Sequence, residues 1–66
     1  MNRLEWWRKD KRLSQAELAA MIGVSTTSVC KYEDGRIPRW PVMLRIIEVT
    51  KGKVRPKDFY TQKMGG

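Results

Sequence analysis

The stretch LSQAELAAMIGVSTTSVCKYEDG, residues 13–35, contains two short helical patterns with a glycine between them. Ser14 and Glu17 have the spacing of a capping box, in which each residue bonds the backbone of the other at the start of a helix. The helix predicted after Ser14 covers residues 15–22 and presents an apolar stripe of Leu18, Met21 and Ile22. Gly23 suits the left-handed backbone conformation that ends a helix.

A second helix is predicted to begin directly after this turn. The hydroxyl of Ser25 can accept a hydrogen bond from a free amide of the first turn, so Ser25 is a suitable N-cap for a helix over about 26–34. Gly35 then provides the stop. Two short helices joined by a tight turn that contains glycine form a helix-turn-helix.

The second of these helices has one polar face and one apolar face. At about 100° per residue, an arc of roughly 140° holds Thr26, Thr27, Cys30 and Lys31, whereas Val29 and Tyr32 lie on the opposite side. Short side chains let a helix lie deep in a groove, and threonine can donate, accept and contact a thymine methyl group. We therefore predict that Thr26, Thr27, Cys30 and Lys31 read DNA bases. The alternative is that the hydroxyl residues only cap the helix, which explains Ser25 and part of Thr26 but not the lack of acidic residues up to Lys31.

Length and charge limit the class of protein. The chain has 66 residues, which is one small domain, and 14 Lys and Arg against 7 Asp and Glu give a net charge of +7. This excess favours a polyanionic partner, although a soluble basic protein has the same composition and the positions of the cations must decide. We predict a domain over residues 1–62 and a flexible tail over 63–66.

Several other functions are disfavoured by what the chain contains. One Cys and no His leave no disulfide and no zinc set, so we expect no metal or cofactor. We also expect no small-molecule ligand, and no enzymatic activity, because there is no Gly-rich phosphate loop and no carboxylate pair in an apolar setting. The sequence shows no signal peptide and no membrane span, which predicts a cytoplasmic location.

The flanking segments complete an all-α prediction with four to five short helices. A first helix over 3–12, capped by Asn2, is indicated by its helical spacing of apolar residues. A fourth helix begins at Pro41 and ends at Gly52. Its apolar stripe, predicted to close the core, is Val42, Met43, Ile46, Ile47 and Val49. A last turn beginning at Pro56 is predicted to bring Phe59 onto the core.

The segment LSQAELAAMIGVSTTSVCKYEDGRIP, residues 13–38, resembles the Cro and repressor type of helix-turn-helix, the lambda-repressor-like domain of phage and bacterial regulators. The resemblance rests on Gln15 at the start of the second helix, the small Ala19 at a helix crossing and Gly23 in the turn. The remaining spacings of the motif are occupied by Leu18, Ile22, Val24, Val29 and Tyr32.

This resemblance implies roles for particular residues. It implies base contacts in the major groove by Thr26, Thr27 and Lys31, in agreement with the polar arc. It implies contacts with the DNA backbone by Gln15, Arg36 and Arg39, and we expect the same of Ser25 and Ser28. It also implies an ion pair between Arg8 and Glu33 that ties the first helix to the third.

The function that follows is sequence-specific binding of double-stranded DNA by a transcriptional regulator. A Cro-like repressor would occupy a two-fold-symmetric operator as a homodimer, on half-sites about 34 Å apart. Trp6, Trp40 and Leu44 are candidates for the dimer contact. The alternative is an antitoxin, in which the same fold binds a partner protein and represses its own operon.

Overall fold

The computed structural model describes residues 2–64, with side chains from residue 2 to residue 60, and these residues form five helices without a strand. In chain order the helices are α1 (Arg3–Asp10), α2 (Gln15–Ile22), α3 (Thr26–Glu33), α4 (Trp40–Val49) and α5 (Pro56–Met64). The all-α prediction is confirmed. Within residues 2–64, no helix has both the length and the apolar character needed to cross a bilayer. The predicted tail over 63–66 begins within the last turn of α5, and its last two residues lie outside the described part, so the tail stays a prediction.

The core forms where α2 packs against α3 and α4 while α1 packs against α3. Its buried apolar side chains are Leu4, Trp7, Leu18, Ala19, Ile22, Val29, Met43, Ile46, Val54 and Phe59. Complete burial of a large apolar side chain contributes about 1.5–3 kcal/mol, so this set is the main source of stability. Phe59, predicted to cover the core, is fully buried.

α1 is shorter than the predicted span of 3–12, and no glycine marks its end in the sequence. The helix ends at Asp10, and Arg12 takes the left-handed conformation with φ 59°. The N–H of Leu13 then donates to the carbonyl of Arg8 at 3.0 Å, which closes the turn in the way a glycine usually does.

α4 also ends earlier than predicted. The last helical residue is Val49, and Lys51 with φ 55° precedes Gly52 with φ 80° in a second left-handed turn. The N–H of Gly52 donates to the carbonyl of Ile47 at 2.9 Å. The end of α4 therefore involves left-handed conformations at both Lys51 and Gly52.

Two features of the core differ from the sequence prediction. Met21, which we placed in the apolar stripe of α2, is 41% exposed, because the buried face of α2 runs through Ala19 instead. Thr50 is buried, and its Oγ1 donates to the carbonyl of Ile46 at 2.7 Å and accepts from the N–H of Val54 at 3.2 Å. This hydroxyl links the end of α4 to the segment that leads into α5.

Candidate nucleic-acid interface

The first turn of α3 is held by two serines. The hydroxyl of Ser25 accepts from the N–H of Ser28 at 3.1 Å, and the two hydroxyl oxygens lie 3.0 Å apart. Both hydroxyls are thus used to begin the helix, although each keeps capacity for a further bond. Their predicted contacts with the DNA backbone stay a prediction.

The outward face of α3 carries the four residues predicted to read bases. All are exposed: Thr26, Thr27, Cys30 and Lys31. On the inward face Val29 is fully buried, and Glu33 is only 8% exposed. The outward face from Thr26 to Lys31 is therefore short, polar and free of acidic side chains.

The end of α3 returns the chain towards that face. Gly35 has φ 111°, and the N–H of Arg36 donates to the carbonyl of Lys31 at 3.0 Å. This hydrogen bond fixes the backbone of a second cationic residue beside Lys31. The left-handed turn at Gly35 therefore joins the predicted base-reading and phosphate-contacting segments.

A groove of about 480 Å³ lies along this junction, and we call it the α3 groove. Its lining residues are Thr27, Ser28, Lys31, Tyr32, Arg36, Ile37, Arg39 and Val42. The structure thus brings together Thr27, Ser28, Lys31, Arg36 and Arg39 from the predicted set, whereas Thr26 and Cys30 lie on α3 outside the groove.

Three cations of the α3 groove, Lys31, Arg36 and Arg39, form no ion pair with any residue in the described part of the chain. Unpaired cations around a concave surface attract an anionic partner.

The sequence did not identify three of the lining residues. Tyr32, Ile37 and Val42 are half-buried and form the apolar wall of the groove. The helical spacing of Tyr32 and Val42 predicted that both lie in the core. Both do pack against the core, but each also keeps an exposed part that lines the groove. Ile37 lies in a loop, where periodicity gives no signal.

Beneath α3, one carboxylate joins three helices. Glu33 Oε2 accepts from Arg8 Nε at 2.5 Å, and Glu33 Oε1 accepts from Arg8 Nη2 at 3.1 Å and from Gln15 Nε2 at 3.0 Å. Arg8 Nη1 donates to the carbonyl of Leu13 at 2.9 Å. The bond to Glu33 raises the pKa of the Arg8 guanidinium above its ordinary value. This network holds α1, α2 and α3 at fixed positions relative to one another.

Gln15 takes part in this network, which sequence reasoning did not predict. Its amide nitrogen has two hydrogens, and the bond to Glu33 uses one of them, which leaves the other for a phosphate oxygen. The predicted phosphate contact is therefore compatible with the geometry and stays a prediction.

Cys30 lies in a separate depression of about 270 Å³ on the other side of Lys31. The depression is lined by Glu5, Gln15, Cys30, Lys31, Glu33 and Asp34. Lys31 therefore separates a cationic groove from an acidic edge. This asymmetry favours the approach of phosphates from the side of Arg36 and Arg39.

The comparisons with known proteins agree with this architecture. The profile of the family described as "Helix-turn-helix domain" matches residues 2–53, a span that includes α1 to α4 and the α3 groove. A protein of Halobacterium salinarum named "Putative HTH-type transcriptional regulatory protein" is 40% identical over 47 residues, which cover 71% of this chain and 15% of that protein. No solved structure gave a significant match. Because the family profile covers most of the sequence, the chain belongs to the helix-turn-helix domain family.

Proposed function

We propose that this protein binds double-stranded DNA in a sequence-specific manner and regulates transcription. The observation that carries the proposal is the outward face of α3, where exposed Thr26, Thr27 and Lys31 adjoin a groove. Arg36 and Arg39 line that groove and form no ion pair with the side chains of residues 2–60. The similarity to a protein of Halobacterium salinarum supports the same class of function, since that protein is named as an HTH-type transcriptional regulatory protein.

The chemistry of this face suits the major groove. The groove of B-DNA is about 12 Å wide and admits an α-helix, and the known docking of this motif places the N-terminal part of the second helix on base edges. The Lys31 ammonium can donate to guanine O6 and N7, and the Thr26 and Thr27 methyl groups can contact thymine. Arg36 and Arg39 then neutralise phosphates beside the bases.

We propose repression by occupancy as the mode of regulation, with two copies on a two-fold-symmetric operator. Trp40 is 61% exposed and Leu44 is 45% exposed, and their spacing places them on one side of α4. An exposed aromatic and aliphatic pair is suited to contact its copy across a two-fold axis. Because each chain carries +7, DNA reduces the repulsion between copies, and we expect dimerisation to accompany DNA binding.

Selection of bound sequences from a random duplex pool tests the function. We expect a pseudo-palindrome with half-sites one helical turn apart, bound at least about a thousandfold more tightly than scrambled DNA. Equal affinity for every duplex, falling uniformly as salt rises, would contradict sequence-specific binding. An antitoxin would also pass this test, and it is distinguished by a stable complex with a toxin encoded in the same operon.

The dimer is tested by the variant Trp40→Ser/Leu44→Ser, with Tyr60→Ser as the control, because Tyr60 is 55% exposed on α5 and is not among the residues predicted to form the dimer contact. Sedimentation velocity with the selected duplex should show two copies per operator for the wild type and the control. The α4 variant should bind the two half-sites independently. Cooperative binding by that variant would exclude this face as the dimer contact.

A further inference from the structure

A second concave surface lies away from α3. It encloses about 490 Å³ and is lined by Trp7, Lys11, Leu13, Met21, Val49, Thr50, Lys51 and Lys53. We call it the lysine-rimmed groove. It shares no residue with the α3 groove, and its walls come from α1, the end of α2, the end of α4 and the adjoining turns. A ligand here would not compete with the proposed DNA contacts.

The floor of this groove is apolar. Trp7 is 5% exposed, Leu13 and Val49 are half-buried, and Met21 is 41% exposed at the edge. The thioether of Met21 is flexible and polarisable, so it can adapt to the shape of an inserted apolar side chain. Met21 was predicted to lie in the core, but its exposed position at the groove edge leaves it available for contact with a ligand.

The rim of the groove is cationic. Lys11, Lys51 and Lys53 are exposed, and none of them forms an ion pair with a residue in the range 2–60. In contrast, Lys9 lies 3.0 Å from the carboxylate of Glu5. Like charges around an apolar floor repel one another, and an anionic partner removes this repulsion.

We propose that the lysine-rimmed groove binds an acidic peptide segment of a partner protein, with an apolar side chain of that segment inserted over Trp7 and Met21. Carboxylates on either side of the inserted residue would pair with Lys11, Lys51 and Lys53. The central apolar pocket and the charged rim then have the arrangement of a protein interface.

Charge and shape disfavour the other occupants. A second copy of this chain also carries +7 and would be repelled by the rim. The groove opens to solvent, so a small ligand would stay far more exposed than in the usual pocket, which buries about 70–90% of its ligand. DNA phosphates would leave the apolar floor uncovered.

The test uses the full chain and a labelled peptide of sequence Asp-Glu-Asp-Phe-Leu-Asp-Glu. Affinity is measured by fluorescence anisotropy, and the bound surface is identified by amide chemical shifts in NMR spectra. We expect the shifts to concentrate at Trp7, Lys11, Met21 and Lys53. Replacing Phe-Leu by Ser-Ser in the peptide should weaken binding at least about tenfold, since the apolar anchor is lost.

Two protein variants separate this groove from the α3 groove. Lys11→Glu/Lys53→Glu should weaken peptide binding at least about tenfold, and Lys11→Arg/Lys53→Arg should retain it. Arg36→Glu/Arg39→Glu is the matched control on the α3 groove, because it reverses the same number of charges, and it should bind the peptide as the wild type does. Circular dichroism should show that each variant is folded, because the substituted residues are exposed.

The proposal would be overturned by shifts centred on α3, by loss of peptide binding in the Arg36→Glu/Arg39→Glu variant, by equal binding of the Ser-Ser peptide, or by displacement of the peptide by duplex DNA. A titration with octanoate alone tests whether the groove binds a small carboxylate instead of a peptide. Equally tight binding of octanoate at the same residues would replace the peptide with a small amphiphilic anion and overturn the proposal as well. These readouts do not depend on sequence-specific DNA binding, so either proposal can fail without the other.

Discussion

Gln15 Nε2 lies 3.0 Å from Glu33 Oε1, so the first residue of α2 is bonded to the last residue of α3. The same carboxylate accepts two hydrogen bonds from Arg8 of α1. The direction of α3 relative to the rest of the domain is therefore fixed by a buried carboxylate at the border of its exposed polar face. An interface that reads base edges requires this rigidity, because a small rotation of the helix would misplace every contact.

The carboxylate of Glu33 should be a major determinant of stability. The side chains of Arg8 and Glu33 are 12% and 5% exposed, and removal of one partner from a buried ion pair costs about 3–5 kcal/mol. We expect Glu33→Gln to lower the free energy of unfolding by about 3 kcal/mol in urea denaturation, because the Arg8 charge loses its counter-ion. The double variant Arg8→Met/Glu33→Leu is the control and should be more stable than Glu33→Gln. A double variant as unstable as the single one would show that the loss does not come from an unpaired charge.

The turn between α2 and α3 should depend on backbone conformation alone. Gly23 has φ 87°, and a Cβ built there would meet no atom within 4 Å. Gly23→Ala should therefore cost about 1–2 kcal/mol from left-handed strain, and lower Tm by about 4–8 °C for each kcal/mol. Gly23→Asn is the control, because asparagine tolerates this conformation better, and it should lose less. An alanine variant with unchanged Tm in a thermal melt would contradict this explanation of the turn.

Lys31 should contribute to the choice of sequence. We expect Lys31→Ala to reduce discrimination at one base pair of each half-site by about 1–3 kcal/mol, as measured by titration of single-mismatch duplexes. Lys11→Ala removes an exposed cation that does not line the α3 groove and should leave the discrimination unchanged. A mismatch profile that is the same for wild type and Lys31→Ala would exclude base reading by this residue.

Arg36 should contribute affinity without selectivity. Removing one phosphate contact lowers the slope of log K against log salt concentration by about 0.9, so Arg36→Ala should show this decrease and weaken binding to all duplexes alike. The control is Lys53→Ala, which removes the same charge outside the α3 groove. An equal change of slope in both variants would mean that net charge, and not the position of Arg36, determines the effect.

Local signals explain why the helix-turn-helix could be predicted from the sequence. The caps and turns that begin and end these helices act within a few residues of their own positions; they involve Ser14 with Glu17, Gly23, Ser25 and Gly35. The bounds of α2 accordingly agree with the prediction. The ends of α1 and α4 were misplaced because Arg12 and Lys51 occupy left-handed positions for which their residue types give no indication.

Contacts between segments that are distant in the chain could not be predicted from such local signals. The bond from Gln15 to Glu33 joins residues 18 positions apart, and no local pattern encodes it. The buried hydroxyl of Thr50 and the apolar wall formed by Ile37 likewise depend on how the helices pack. The polar arc of α3 was predictable, whereas its association with Arg36 and Arg39 in one groove required the structure.

Chemical-shift mapping with DNA tests the central claim most directly. Amide shifts are recorded during titration with the selected duplex and, separately, with a scrambled duplex of equal length and charge. The proposed interface predicts large shifts at residues 26–31 and 36–39 that differ between the two duplexes, with little change around Lys11 and Lys53. Shifts that are the same for both duplexes, or that centre on the lysine-rimmed groove, would contradict base reading by α3.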